Sequence, residues 1–169
     1  MLEAEDAQSQ LQIARQMVRH GQEGFRRSLL NLRAQELERG SLNEALPELA
    51  RHITAGTGIE LHCEVSCPEH GLSEAIEANL LRIGQECLAN AVRHGHPTRI
   101  DLILKHEAGI VQLHIRDDGV GFDPAGLNHM SNGHFGWRGI YERAEQLGAT
   151  VELQAQSGRG TSVTVNVPI

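Results

Sequence analysis

The segment RDDGVGFD, residues 116–123, holds the residues with the clearest chemical potential. It follows a strand whose apolar residues alternate, and this alternation predicts that Asp117 points inward at the end of the strand. A buried carboxylate is costly unless it accepts hydrogen bonds, and the exocyclic amine of a purine is one suitable donor. Gly119 and Gly121 would allow a flat ring to lie against the main chain. A plain acidic turn after a strand is the competing interpretation.

A second polar group lies on the predicted helix that contains QECLANAVRHG, residues 85–95. At about 100° per residue, Glu86, Asn90 and Arg93 fall within roughly 60° of one another, beside an apolar stripe. An amide oxygen can ligate a hard cation, a guanidinium can bind phosphate, and a carboxylate can orient or deprotonate a hydroxyl or an imidazole. Taken alone, this segment still favours an ordinary amphipathic helix with a solvated edge.

Two glycine-rich segments complete the set. Gly133, Gly136 and Gly139 precede or begin a predicted helix, where free backbone amides attract phosphate oxygens. The spacing is not that of a P-loop, and neither GKS nor GKT occurs in the chain. The second segment, SGRGT at residues 157–161, is equally compatible with a simple hairpin turn. Each of these signals is weak or moderate by itself.

Length and charge narrow the class of protein. The 169 residues suffice for one domain with a helical extension. The net charge is −7 and lysine occurs once, at Lys105, so a basic nucleic-acid-binding surface is not expected. The chain contains neither a run of roughly 18 apolar residues nor a signal-peptide pattern. We therefore expect a cytoplasmic chain without direct membrane contact.

A cluster of cysteine and histidine residues could be interpreted as a zinc site. The segment HCEVSCPEH brings His62, Cys63, Cys67 and His70 close together. However, Cys63 falls in an apolar alternation that predicts an inward-facing position, and paired CxxC spacing is missing. A structural cysteine is therefore the favoured interpretation. Three cysteines do not indicate a disulfide framework either.

Hydrophobic periodicity predicts helices first and then a sheet of hairpins. The apolar residues of the first helix follow a heptad-like stripe, and the second helix begins with the capping-box pattern of Ser41 and Glu44. Such an order favours an α+β layer, with a largely antiparallel sheet covered on one face by helices. The predicted elements are helix 8–37, a helix from Ser41, strand 59–65, helix 74–94, strands 99–105 and 110–116, helix 137–147, and strands 150–156 and 161–167.

The order and spacing of the four chemical segments resemble the nucleotide-binding boxes of the histidine-kinase ATPase domain, in the superfamily that includes DNA gyrase and MutL. QECLANAVRH resembles the asparagine box, DDGVGF the first glycine box, GHFGWRG the second and GRGT the last. The match covers residues 59–169. It implies a Bergerat-type two-layer α/β sandwich at residues 56–169 with a mixed, largely antiparallel sheet, preceded at 1–55 by a helical dimerisation-type segment.

On the phosphate side, the resemblance implies that the chain binds ATP with Mg²⁺. Asn90 would ligate the metal, and Glu86 would be the catalytic carboxylate. Four further residues would lie near the phosphates: Arg93, His94, Gly133 and Gly136.

On the adenine side, the resemblance implies that Asp117 binds the amine of the base. Gly119 and Gly121 would line the base, and Thr161 would support the surrounding hydrogen-bond network. The segment 122–136 would form a mobile lid over ATP.

Finer features resemble the subfamily of nitrate and lipid-fluidity sensor kinases. These features are the glutamate four residues before Asn90 and the run YERAEQLGA. In that subfamily a leucine usually follows the second glycine box, whereas this chain has Trp137. The segment 8–55 is similar, more loosely, to the second dimerisation helix and its linker.

The resemblance also implies partners. They are a phosphoacceptor helix of the parent kinase, a response regulator and, in the parent, a second copy of the chain. The acceptor histidine of the family is followed by an acid, and here only His106, in a predicted hairpin turn, precedes one. We therefore expect a fragment that binds Mg·ATP but does not phosphorylate itself.

Two other functions share this fold. An anti-sigma-factor-type serine kinase has the same Glu-x-x-x-Asn box, but such proteins begin close to the first strand, whereas residues 1–55 precede it here. A non-catalytic regulatory module is a further alternative, which the four complete boxes make less favourable.

Overall fold

The computed structural model describes residues 41–67, 72–123 and 135–169. The predicted helix 8–37 lies outside these residues. In chain order the described elements are α1 Leu42–Thr54, β1 Glu60–Ser66, α2 Glu74–Asn90 with a π-helical turn Ala91–Gly95, β2 Arg99–Glu107, β3 Ile110–Asp117, α3 Phe135–Gln146, β4 Thr150–Ala155 and β5 Thr161–Pro168.

The strands form one five-stranded sheet in the order β1-β2-β3-β5-β4. β1 pairs with β2 in parallel, and every other pair is antiparallel. The tight β2–β3 turn has positive φ at both Ala108 (51°) and Gly109 (77°), the backbone that two-residue hairpins favour. The predicted mixed, largely antiparallel α+β architecture is confirmed.

The core lies between one face of the sheet and the helices. Along β3, and along β2 as far as Leu104, every second side chain is buried, as the period-two alternation predicts. α1 contacts β1, α2 contacts β3 and α3 contacts β4, so the three helices span the sheet from one edge to the other. The opposite face is polar, and Gln112 donates a 2.8 Å hydrogen bond to Asn166 across it. The predicted two layers are therefore present.

α1 begins where the sequence predicts, but without the predicted capping box. The Ser41 side chain makes no capping hydrogen bond. Instead, the backbone N–H of Leu42 donates to Glu77 of α2 at 3.5 Å. The two helices approach closely at Gly84, where an added Cβ would lie 2.6 Å from Cδ1 of Leu46. This end of α1 is thus positioned by tertiary contacts.

α1 belongs to the same compact unit as the sheet, Gly40–Ile169. The division of the chain into a helical segment at 1–55 and a catalytic domain at 56–169 stays a prediction. Within the residues that the structure describes, no helix has both the length and the apolar character needed to cross a bilayer.

Cys63 lies with Leu61 and Val65 on the half-buried side of β1, in agreement with the predicted alternation. Burial raises the pKa of the Cys63 thiol. A raised pKa disfavours the thiolate that metals bind. His70, the last member of the suggested zinc cluster, lies outside the described residues.

α2 ends differently from the prediction. The helix starts at the N-cap Ser73, whose side chain accepts a hydrogen bond from Ile76, and it remains α-helical only to Asn90. A wider π-helical turn follows, and His96 closes it with a left-handed φ of 47°. Pro97 then prevents continuation. The uniform 100° spacing that was used to predict side-chain directions therefore stops at Asn90.

Candidate active site

Asp117 occupies the last position of β3 and is only 5% exposed. The predicted inward direction is therefore confirmed. Its Oδ1 atom accepts a 2.9 Å hydrogen bond from the backbone N–H of Gly119. Burial raises the pKa of this carboxyl group, and hydrogen bonds from Gly119 and Thr161 oppose that rise. The hydrogen bonds therefore offset only part of the cost of burying the ionised Asp117 carboxylate. A perturbed pKa of this kind is typical of functional carboxylates.

The neighbouring acid, Asp118, has a different role, for which sequence analysis gave no prediction. Its carboxylate accepts hydrogen bonds from the backbone of Thr98 (2.8 Å), the Thr98 hydroxyl (2.6 Å) and the backbone of Arg99 (2.9 Å). These bonds, the Thr98 hydroxyl first, lower the pKa of Asp118. The backbone N–H of Asp118 returns a 3.3 Å bond to Arg99. Asp118 therefore ties the end of β3 to the start of β2.

Gly119 permits direct contact between two backbone segments. A Cβ at this position would overlap the carbonyl oxygen of Gly95, at the end of the π-helical turn. The same carbonyl accepts a 2.8 Å hydrogen bond from the N–H of Val120. The absence of a side chain at residue 119 is thus required by the protein's own packing, whether or not a base lies nearby.

Gly121 and Gly160 allow similarly close backbone contacts on the other side of the loop formed by residues 118–121. Gly121 has a φ of +57°, and a Cβ there would overlap the carbonyl oxygen of Gln156. A Cβ on Gly160 would overlap the carbonyl oxygen of Asp117. Val120 also accepts a 2.7 Å backbone hydrogen bond from Gly158. The loop 118–121 is therefore held between the end of α2 and the β4–β5 turn.

Thr161 joins this group from the first position of β5. It is the register partner of Asp117. Hydrogen bonds from its backbone and hydroxyl groups oppose the rise in the pKa of Asp117 that burial causes. The predicted adenine-side residues therefore come together in space: Asp117, Gly119, Gly121 and Thr161. Gly95 and Gly160 belong to the same group and were not among the predicted site residues. The GRGT motif was the available signal for Gly160.

On the phosphate side, residues from two distant segments meet. A Cβ on Gly136, in the first turn of α3, would overlap Oε1 of Glu86 and lie 3.4 Å from Nδ2 of Asn90. Glu86, Asn90 and Gly136 are all half-buried. A side chain at residue 136 would fill the space beside the two polar groups. The carboxylate and amide oxygens are hard donors of the type that Mg²⁺ prefers, so these residues fit the metal that the resemblance implies.

The remaining predicted phosphate residues are less closely grouped. Arg93 and His94 are exposed residues of the π-helical turn. Because that turn is wider than an α-helix, the 100° spacing behind the predicted alignment of Arg93 with Glu86 and Asn90 does not apply there, and the alignment stays a prediction. Gly133 lies outside the described residues, as do positions 124–134 of the predicted lid.

An aromatic pair connects the two sides. The rings of Phe122 and Trp137 have centroids 5.8 Å apart and are tilted by 48°. Phe122 follows the first glycine segment directly, and Trp137 follows Gly136. The sequence offered one signal for this contact, the tryptophan at a position where the resembling subfamily usually has leucine.

Comparisons with known proteins agree on one family. The model of the family "Histidine kinase-, DNA gyrase B-, and HSP90-like ATPase" matches residues 75–169. The sensor histidine kinase LiaS of Bacillus subtilis is 29% identical over 159 residues, which cover 94% of this chain and 43% of LiaS. The sensor protein VraS of Staphylococcus epidermidis is 28% identical over 160 residues, which cover 95% of this chain and 44% of VraS. The chain thus spans less than half the length of these relatives.

Solved structures show the same fold. A histidine kinase domain from the blue-light-activated histidine kinase of Erythrobacter litoralis EL346 aligns with a TM-score of 0.68 and 20% identity, covering 82% of this chain and 70% of that domain. Full-length ShkA in complex with AMPPNP aligns with a TM-score of 0.62 and 21% identity, covering 75% of this chain and 29% of ShkA.

Proposed function

Because the chain belongs to the family of histidine kinase-, DNA gyrase B- and HSP90-like ATPases, we propose that it is the ATP-binding catalytic domain of a two-component sensor histidine kinase. The family resemblance predicted from the four sequence segments is confirmed. Members of this family bind ATP. The proposal adds the reaction, the metal, the residues that act and the partners.

The observation that carries the proposal is the meeting of Glu86, Asn90 and Gly136 at one side of α2. These residues come from two separate boxes, and the space beside them would be filled by any side chain at residue 136. The carboxylate of Glu86 provides a general base, the carboxamide of Asn90 provides a metal ligand, and the first turn of α3 provides amides suited to phosphate oxygens.

Asp117 would select the base. A carboxylate accepts hydrogen bonds, and the exocyclic amine of adenine donates them, whereas guanine has a carbonyl oxygen at the corresponding ring position. Burial strengthens such a hydrogen bond because water competes less for it. Gly119, Gly121 and Thr161 would maintain the geometry of this carboxylate.

Asn90 would hold Mg²⁺ together with the phosphates. Glu86, one helical turn before Asn90 on α2, would lie beside the metal and the phosphates. When bound, the metal would neutralise charge on the β- and γ-phosphates. Arg93 and His94, exposed on the turn that follows Asn90, would add positive charge and hydrogen-bond donors near the phosphate chain.

The acceptor would be a histidine on an upstream helix of the parent kinase. One ring nitrogen would form a bond to the γ-phosphorus while the bond from that phosphorus to the bridging oxygen breaks and ADP leaves. Glu86 would orient the imidazole through its other nitrogen and accept the proton that the ring loses. The phosphoryl group would then pass to a response regulator. The parent would act as a homodimer, with this domain in the cytoplasm and no nucleic acid involved.

The anti-sigma-factor alternative is not favoured. The relatives reported above are sensor proteins and include a named sensor histidine kinase, and they match more than nine-tenths of this chain, including the segment before the sheet.

The test is an ATP titration of the 169-residue chain by calorimetry. Asn90→Ala should bind ATP with little dependence on Mg²⁺, and Asp117→Asn should lose its preference for ATP over GTP. Asn79→Ala on the same helix and Asp101→Asn on β2 are matched controls, because both side chains hydrogen-bond away from the site. Absence of heat from the wild-type chain with Mg·ATP would contradict the proposal.

A further inference from the structure

The contact between Phe122 and Trp137 bridges the two halves of the candidate site. Trp137 is the single tryptophan of the chain, and both rings are half-buried. Their centroid separation of 5.8 Å lies within the range over which aromatic rings attract each other, and the rings are tilted by 48°. The two rings are therefore in direct contact and partly shielded from solvent.

Each ring directly follows a glycine that has no room for a side chain. Gly121 lies against the carbonyl oxygen of Gln156, which fixes the position from which Phe122 departs. Gly136 lies against Glu86 and Asn90, and Trp137 is the next residue. The ring contact therefore joins a point on the adenine side to a point on the phosphate side, and it limits the distance between them.

The rest of α3 has its own attachment to the core. Ile140 is fully buried and Ala144 is 1% exposed. These residues lie one and two turns beyond Trp137, so they would keep the helix packed if the ring contact were lost. The contribution specific to Trp137 is thus the position of the first turn, which contains Gly136.

We infer that Trp137 is a positioning residue for phosphate-side binding. By packing on Phe122, it holds Gly136 and the first turn of α3 against Glu86 and Asn90. The inference rests on the proposed function, because it assigns Trp137 a role in the geometry of the Mg·ATP site. The competing interpretation is that the ring pair only covers apolar surface and affects stability alone.

The two interpretations differ in the magnesium dependence of ATP binding. The 169-residue chain is titrated with ATP in excess Mg²⁺ and again in EDTA, for the wild type and for Trp137→Ala, Trp137→Phe, Phe122→Ala and the double alanine variant. Tyr141→Ala is the matched control, because Tyr141 is an exposed aromatic residue one turn further along the same helix. Thermal unfolding of each variant monitors the fold.

Trp137→Ala should reduce the Mg²⁺-dependent gain in affinity by about three- to tenfold, the range that corresponds to one aromatic pair. Its affinity for ATP in EDTA should change by less than about twofold on the same scale. Phe122→Ala should have a similar effect, and the double variant should be no worse than either single variant, since both remove the same contact. Trp137→Phe should restore most of the gain, and Tyr141→Ala should match the wild type.

Equal weakening of ATP binding with and without Mg²⁺ in Trp137→Ala would overturn the inference, as would fully additive effects in the double variant. An unchanged Mg²⁺-dependent gain in Trp137→Ala would also overturn it. In all three cases the wild type still binds Mg·ATP and the proposed function stands. A wild-type chain that binds no ATP in either buffer would instead reject the proposed function, and this inference with it.

Discussion

The adenine and phosphate halves of the candidate site use glycine in two different ways. At Gly119, Gly121 and Gly160, an added Cβ would overlap backbone carbonyl oxygens. At Gly136, it would overlap the end of the Glu86 side chain and approach that of Asn90. Backbone in a sheet and at a helix end cannot move without breaking hydrogen bonds, whereas a side chain can change rotamer. We therefore expect a preformed, rigid adenine half and an adjustable phosphate half.

The largest effect is expected from Gly160→Ala, with Gly158→Ala as its control. The two glycines have φ values of +76° and +77°, but a Cβ has open space at residue 158 and would overlap the Asp117 carbonyl at residue 160. Gly158→Ala should lower the free energy of unfolding by about 1 kcal/mol, the cost of a left-handed alanine. Gly160→Ala should cost roughly 3 kcal/mol or more, because steric overlap is added. Urea unfolding of both variants measures the difference, and similar costs would contradict a rigid adenine half.

A smaller loss is expected from Asp118→Ala. Removal of the acceptor for Thr98 and Arg99 should cost about 1–2 kcal/mol in the free energy of unfolding. Hydrogen bonds lower the pKa of Asp118 in the folded protein, so its stabilisation is present above the unfolded value near 3.8 and is lost as the pH falls through the folded pKa. Chemical unfolding at pH 7 and at acid pH should show the variant and the wild type converging in acid.

Asp101→Ala is the control for that experiment. Its partner is the exposed Arg99 side chain at 2.7 Å, and exposed ion pairs contribute little. If Asp101→Ala and Asp118→Ala had equal effects, the link between β2 and β3 would not depend on Asp118.

Gly136→Ala should affect binding more than stability. Alanine is the better helix former, and displacement of Glu86 offsets that gain, so the free energy of unfolding should change by less than about 1 kcal/mol. The affinity for Mg·ATP should nevertheless fall by at least about tenfold, which corresponds to roughly 1.4 kcal/mol. Tyr141→Ala on the same helix is the control, because the Tyr141 side chain is exposed and is not among the predicted site residues. Severe unfolding of Gly136→Ala would show that the phosphate half is as rigid as the adenine half.

The smallest effect on stability is expected from Asp117→Asn. Burial raises the pKa of this acid in the folded protein, so its contribution to stability is fully present below the unfolded value near 3.8 and is lost as the pH rises through the folded pKa. At neutral pH the asparagine variant should therefore be as stable as the wild type or slightly more stable. The Asp101→Asn variant serves as the comparison in urea unfolding at pH 7. A marked loss of stability in Asp117→Asn would mean that the ionised carboxylate holds the fold together.

The opposite pKa shifts of Asp117 and Asp118 illustrate the limit of reasoning from sequence. The inward direction of Asp117 followed from strand alternation, which is a local property with a period of two. The partners of Asp118, Thr98 and Arg99, lie 20 and 19 residues away along the chain. No local pattern distinguishes an acid that receives such hydrogen bonds from an acid that points into solvent.

Residues along α2 and the turn that follows it differed in how well the sequence predicted their positions. Glu86 and Asn90 are separated by one α-helical turn, so their common face could be predicted from the spacing alone. Arg93 could not be placed in this way, because the helix widens after Asn90. The carbonyl of Gly95, at the end of that turn, receives the N–H of Val120 from a different segment. The geometry there therefore depends on contacts between segments.

The sheet and helix layers could be predicted from the sequence because hydrophobic periodicity is a property of short stretches of chain. The family could be identified because the four boxes resemble those of known members. Only the packed structure shows which glycines face backbone and which face side chains, that Asp118 binds Thr98 and Arg99, and that Phe122 meets Trp137. Those outcomes depend on how segments far apart in the chain approach one another, and such distances are set only when the hydrophobic faces of α2, α3 and the sheet pack together.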